Sequence, residues 1–208
     1  MAATALPLAL VRPLAPVEAP RETPFFEPDP GTLVELSGQG ATARTTLAVS
    51  LVIRAQAAGE TALWIMHDAA GVYAPDLAAS GADLEALVVV RIPRREGPKA
   101  LVRAAEIALR SGGFGLAVID LVDGAPGGPP AAWQGRLLGL AREHRARIVL
   151  LSSRAAGTES LGPLVSVRIA PHRERDARGF AVEHELLKVK HGALRRVTPS
   201  RHRAPAGL

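Results

Sequence analysis

Apolar residues in this chain gather into five short, nearly continuous runs, at 33–37, 61–66, 87–92, 115–120 and 147–152. Each run has the length of a strand, and the apolar residues between runs recur at helical spacing. In 44–58, Leu47, Leu51 and Ala55 share one side, and Gly59 supplies a stop. Residues 73–80 read as a short helix ended by Gly81, and 98–111 as a helix with Leu101, Ala105, Ala108 and Leu109 along one side. Residues 131–144 form the last of these helices, after a Gly- and Pro-rich loop at 124–130. Continuous apolar strands alternating with amphipathic helices predict an α/β fold, with a mainly parallel sheet covered by helices on both faces.

The pattern changes after Ser153. Residues 165–169 and 180–190 alternate apolar and polar, with a charged stretch at 171–179 between them. This predicts an antiparallel hairpin at one edge of the sheet, with 171–179 as its turn. At the other end, 1–30 holds seven prolines, which disfavour a helix and predict an extended arm whose pair Phe25-Phe26 docks on the body. The expected organisation is an arm at 1–30, a core at 31–197 and a disordered basic tail at 198–208.

Composition narrows the function classes. Hydrophobic residues make up 48% and charged ones 22%, the balance of a globular protein, and with 3% aromatics the core must be aliphatic. The absence of cysteine excludes disulfides, cysteine-ligated zinc and thiol catalysis. No run approaches the roughly 18 apolar residues of a membrane span, and the residues after Met1 lack the basic start of a secretory signal. A bacterial cytoplasmic protein is expected, with no membrane partner. From Pro171 onward, seven Arg and two Lys face three Glu and one Asp, so this end carries the whole formal charge of +5. Arg173, Arg175, Arg178, Lys188, Lys190, Arg195 and Arg196 are the candidates there for contact with DNA or a protein partner; a solvated basic end is the plainer reading. The scarcity of aromatics argues against recognition of single strands by stacking.

The candidate chemistry sits between the first strand and the first helix, in Gly38-Gln39-Gly40-Ala41-Thr42-Ala43-Arg44-Thr45. A phosphate-binding loop has the form G-x-x-x-x-G-K-[ST] at this place. Here its second glycine is Ala43 and its lysine is Arg44, whose planar guanidinium does not replace a compact ammonium. Either a nucleotide site has lost its lysine, or the fold has kept the loop for shape. A surviving site would hold phosphate with Gly38, Gly40, Arg44 and Thr46, and Mg²⁺ through the Thr45 hydroxyl and Asp120 at the end of the fourth strand, binding ATP weakly. Asp68, after the second strand, is the candidate to orient an attacking water. Asp120 has a plainer reading as a turn residue, and His67 as a strand-end histidine. No His, Asp or Glu group has metal-ligand spacing, and Ser152-Ser153 lacks the G-x-S-x-G elbow of a hydrolase.

Taken in order, these segments resemble the RecA recombinase family. Gly31-Thr32-Leu33-Val34-Glu35-Leu36-Ser37-Gly38 followed by Arg44-Thr45-Thr46-Leu47-Ala48 is similar to its opening strand and "GKTTL". Trp64-Ile65-Met66-His67-Asp68 is similar to the strand that delivers the family's catalytic glutamate, with Asp68 at that position. Tyr73-Ala74-Pro75-Asp76-Leu77 and Asp83-Leu84-Glu85-Ala86-Leu87 resemble "Y-A-x-x-L-G-V-D-x-x-x-L", and Ala117-Val118-Ile119-Asp120 its Walker B strand. Ile148-Val149-Leu150-Leu151-Ser152-Ser153 is similar to the γ-phosphate sensor strand, with serine for glutamine. Leu187-Lys188-Val189-Lys190 resembles "V-K-N-K", whose lysines reach a neighbouring subunit's nucleotide. The resemblance covers 31–197.

The departures point one way. Loop lysine, loop glycine, water-orienting glutamate and sensor glutamine are all changed, and only 154–164 stands where the family's long DNA-binding loop is expected. The arm lacks a recognisable polymerisation helix, and no counterpart of the family's C-terminal domain is expected. The resemblance therefore implies a degenerate member that no longer turns over ATP, with reduced self-association. Compact chains of this type resemble the ImuA-type accessory proteins of the bacterial translesion mutasome. That implies a scaffold in SOS-linked DNA repair, partnered by other proteins of such an assembly and by DNA. The alternative is a weak ATPase using Arg44, Thr45, Asp120 and Asp68, which binds DNA through its basic C-terminal part.

Overall fold

The computed structural model describes residues 26–176, 179–190 and 200–202. Five parallel strands form the body: β1 (Thr32–Ser37), β2 (Ala62–His67), β3 (Leu87–Ile92), β4 (Leu116–Leu121) and β5 (Arg147–Ser152). Four helices connect them: α1 (Arg44–Ala57), α2 (Ala74–Ala79), α3 (Gly97–Leu109), entered through a 3₁₀ turn at Arg94–Glu96, and α4 (Pro130–Glu143). Two long strands follow, β6 (Val167–Asp176) and β7 (Gly179–Val189), and then a short β8 (Ser200–His202). The sheet order is β3-β2-β4-β5-β1-β6-β7-β8. Strands β3 through β6 run parallel, while β6–β7 and β7–β8 are antiparallel. The predicted α/β class, parallel body and edge hairpin are all present.

The two-residue period of each strand sends its apolar side chains alternately to two cores. Val34, Leu36, Trp64, Met66, Val118, Val149 and Leu151 pack under α1 and α2. Leu33, Leu63, Ile65, Ala117, Ile119, Ile148 and Leu150 pack under α3 and α4. Helix α1 ends where Gly59 takes φ +78°, a left-handed conformation that its lack of a Cβ permits. Phe26 docks as expected and is buried beside α1's core, while Phe25 and the rest of the proline-rich arm before it lie outside the described residues.

Three expectations change. Residues 171–176 are not a turn, because β6 continues through them in register with β7 as far as Asp176↔Gly179. Their charged side chains suit a strand at the sheet's margin, where one face meets water. Among the described residues strand β3 is not covered on both faces: it is the last strand of the sheet order, and Val88 and Val89 are 42% and 39% exposed. Finally, Ser200–His202, assigned by composition to the tail, pair with 180–182 of β7.

Candidate functional site

The C-terminal end of a parallel sheet is where α/β folds place ligands, because loops and helix N-termini converge there. The loop 38–43 lies at that end, between β1 and α1. A Cβ on Gly38 would sit 2.6 Å from Thr42 Cγ2, so only glycine fits that bend, and Gly40 turns the chain at φ +67°. Gly38 N–H donates to Ser152 O (3.2 Å) and Thr42 N–H to Gly40 O (3.0 Å). Ala43 is buried, Thr45 is exposed and Thr46 is half-buried. Thr42 Oγ1 is buried with no hydrogen-bond partner among the described residues.

Arg44 decides the chemistry of the loop. Its guanidinium folds back, and Nη1 donates to Gly38 O (2.6 Å) and to Ser152 O at the end of β5 (2.5 Å). Nη2 reaches Gly40 O at 3.5 Å, the limit of a hydrogen bond. A phosphate loop needs N–H groups aimed at the anion. Here carbonyl oxygens converge on a cation supplied by the chain itself, and two loop N–H groups are already engaged. The arrangement does not fit Mg-ATP. Burial lowers the guanidinium's pKa, and the nearby Asp120 carboxylate opposes that shift.

Asp120 is partly buried on β4, and its Oδ1 accepts from Val122 N–H (3.1 Å), an Asx turn. Burial pushes its pKa up. The Val122 hydrogen bond, Arg44 and His67 pull it down, and Asp123 adds to the rise. A carboxyl whose folded pKa is raised makes its full contribution to stability below the unfolded value and loses it as pH rises through the folded value. Asp120→Asn is therefore expected to raise the melting temperature at neutral pH by about 2 °C. The gain should vanish in melts below the ordinary carboxylate range; destabilisation at neutral pH would mean that the pull of Arg44 outweighs burial.

Asp68 is exposed and fastened to the turn after β3. Its Oδ1 accepts from Arg94 N–H (3.1 Å), and its carbonyl accepts from Arg91 Nη1 (3.4 Å). His67 is buried, with Nδ1 3.3 Å from Ile92 O. Arg44, His67 and Asp120 are thus brought within electrostatic reach, whereas Asp68 is held by the β3 turn.

The most connected polar cluster lies under the β5–β6 connection, 153–166. The parallel register of β1 and β6 sets Glu35 beside Arg168, and both are buried. Glu35 Oε1 accepts from Ser152 Oγ (2.7 Å), and Oε2 from Leu161 N–H (2.8 Å). Arg168 Nε stands 3.7 Å from Glu35 Oε1 and donates to Ser37 Oγ (2.9 Å). Its Nη2 donates to Ala155 O (2.7 Å) and its Nη1 to Thr158 O. Gln134 Oε1 on α4 accepts from Leu164 N–H (3.0 Å). Lys188 Nζ donates to Ser160 Oγ (2.9 Å) and Gly162 O (3.1 Å), and Lys190 Nζ to Pro163 O. Burial, then the charge of Lys190, pushes the Lys188 pKa down. The segment expected in place of a DNA-binding loop is a strap tied down by five side chains.

Two of the basic candidates, Lys188 and Lys190, are thus engaged with the strap. Arg173 lies over the Phe180 ring, 5.3 Å from its centroid. Arg178, Arg195 and Arg196 lie outside the described residues, as does the side chain of Arg175. Reasoning from sequence missed the Glu35–Arg168 pair. Its signal was a lone acid inside an apolar strand, because a charge on a core face needs a buried partner.

Among the described residues no group of His, Asp and Glu is arranged to hold a metal ion, and no helix is long and apolar enough to cross a membrane. No protein-family model matches the chain, and a comparison with curated proteins finds no significant match.

Proposed function

We propose that this chain is a RecA-like scaffold of bacterial DNA-damage tolerance, of the ImuA type, which works by binding proteins rather than by turning over ATP. The observation that carries the reading is the Arg44 guanidinium bonded to Gly38 O and Ser152 O, where a working loop would receive phosphate. The strap agrees with it. A loop that handles DNA must be free to move, whereas this segment is held by Glu35, Gln134, Arg168, Lys188 and Lys190. The outer edge of β3 offers backbone groups and the exposed Val88 and Val89 for self-association or for a partner's strand.

Purified protein with Mg-ATP is expected to show no hydrolysis above background and no heat of binding by calorimetry. The single change Arg44→Ala, which frees the loop carbonyls but supplies no anion donor, should leave both results unchanged. Turnover abolished by Asp120→Ala would overturn the proposal in favour of a weak ATPase. Co-purification with the products of neighbouring genes tests the scaffold role separately; a chain that captures none of them is not the scaffold described.

A further inference from the structure

The formal neutrality of residues 1–170 conceals a local excess of charge. Between 91 and 110 the chain carries six Arg or Lys against two Glu. Much of this excess borders a groove of about 540 Å³ between α3 and α4, closed on one side by the Gly- and Pro-rich loop after β4. Lys99 and Arg103 lie four residues apart on α3, and Arg110 follows at its C-cap, so the three line one face over roughly 16 Å. Arg136 of α4 faces them and pairs with Glu106 at 2.8 Å, which neutralises the groove's carboxylate. Lys99, Arg103 and Arg110 are exposed and have no ion-pair partner among the described residues.

The floor between these charges is apolar. Ile107 is 59% exposed on the same stripe and, with the exposed Pro129 and Ala132, supplies the apolar surface, over the buried Val102, Pro126 and Trp133. We propose that this groove docks an acidic, amphipathic segment of a partner protein. Carboxylates of that segment meet Lys99, Arg103 and Arg110, and one apolar side chain covers Ile107. Charge complementarity chooses an acidic partner, and the apolar floor chooses a peptide over nucleic acid. A phosphate backbone gains nothing from covering Ile107, and Trp133 is only 4% exposed, so it offers no face for a base to stack on. The inference does not depend on whether the 38–45 loop binds nucleotide.

Fluorescence anisotropy on the full chain tests it with three labelled probes: a helical peptide with Glu and Leu at amphipathic spacing, the same peptide with Ser for Leu, and an oligothymidine. The Glu/Leu peptide is expected to bind and to weaken with added salt. Arg103→Glu with Arg110→Glu should weaken it at least about tenfold, as should Ile107→Ser or the loss of leucine from the probe. These positions are exposed, so unchanged thermal melts will separate loss of docking from loss of fold. No peptide binding at about 1 mM, or binding indifferent to the charge reversal, overturns the proposal. Tight oligothymidine binding that the reversal abolishes, with no peptide binding, would assign the face to nucleic acid and overturn it as well. Sedimentation of the chain alone covers the remaining occupant, a second copy offering its exposed Asp83-Leu84-Glu85. Self-association dissolved by Arg103→Glu would overturn the partner assignment.

Discussion

Arg168→Ala is expected to lower the free energy of unfolding by about 3–5 kcal/mol, because it leaves Glu35 charged and buried without its counter-ion. It also strips donors from Ser37 Oγ, Ala155 O and Thr158 O. For a domain of this size the melting temperature should fall by roughly 10 °C. The damage should spread along the strap: the Leu161 amide, bonded to Glu35 Oε2, should lose hydrogen-exchange protection with the pair. Replacing both partners, as Glu35→Leu with Arg168→Met, removes the unpaired charge along with the pair. The double variant should be less damaged than the sum of the singles, with a coupling of about 1–3 kcal/mol in urea melts. A loss below about 1 kcal/mol for Arg168→Ala would show that the strap holds without the pair. Its role in keeping the strap still, on which the scaffold reading leans, would then fall.

Trp64→Ala should cost a similar amount, about 3–5 kcal/mol, for a different reason. Trp64 lies on β2, flanked by β3 and β4, is 1% exposed and fills the core under α1 and α2. Truncation leaves a cavity that the surrounding aliphatic side chains close only in part. The indole carries its own handicap, since Nε1–H is buried without an acceptor among the described residues. Phenylalanine keeps most of the volume and removes that donor, so Trp64→Phe is expected to stay within about 1.5 kcal/mol of the parent. Equal losses for the two variants in chemical denaturation would mean that the indole nitrogen is bonded after all.

Much of the architecture was legible from local pattern. The runs at 87–92 and 147–152 coincide with β3 and β5, and the helix expected at 44–58 is α1. Continuous apolar strands and helical spacing record which faces must leave water, and that requirement is written residue by residue. The candidate site was legible only as an inventory. Gly38, Arg44 and Asp120 stood out as candidates against a phosphate-loop template, and Ser152 only through the resemblance. The direction in which Arg44 points was not, because it depends on carbonyls at Gly38 and Ser152 that lie far apart in the chain.

The same distinction runs through the rest of the molecule. Sequence by itself determined the α/β class, the strand and helix series, the edge hairpin and the departure of residues 38–45 from the phosphate-loop template at Ala43 and Arg44. Each follows from side chains close together along the chain. Only the tertiary structure decided that Glu35 pairs with Arg168, that Lys188 and Lys190 fasten the strap, that β3 is the end strand among the described residues and that α3 turns its cations toward α4. Those outcomes depend on strand order and register. Two charges meet across a sheet only when folding lays their strands side by side, and no local propensity encodes that neighbour.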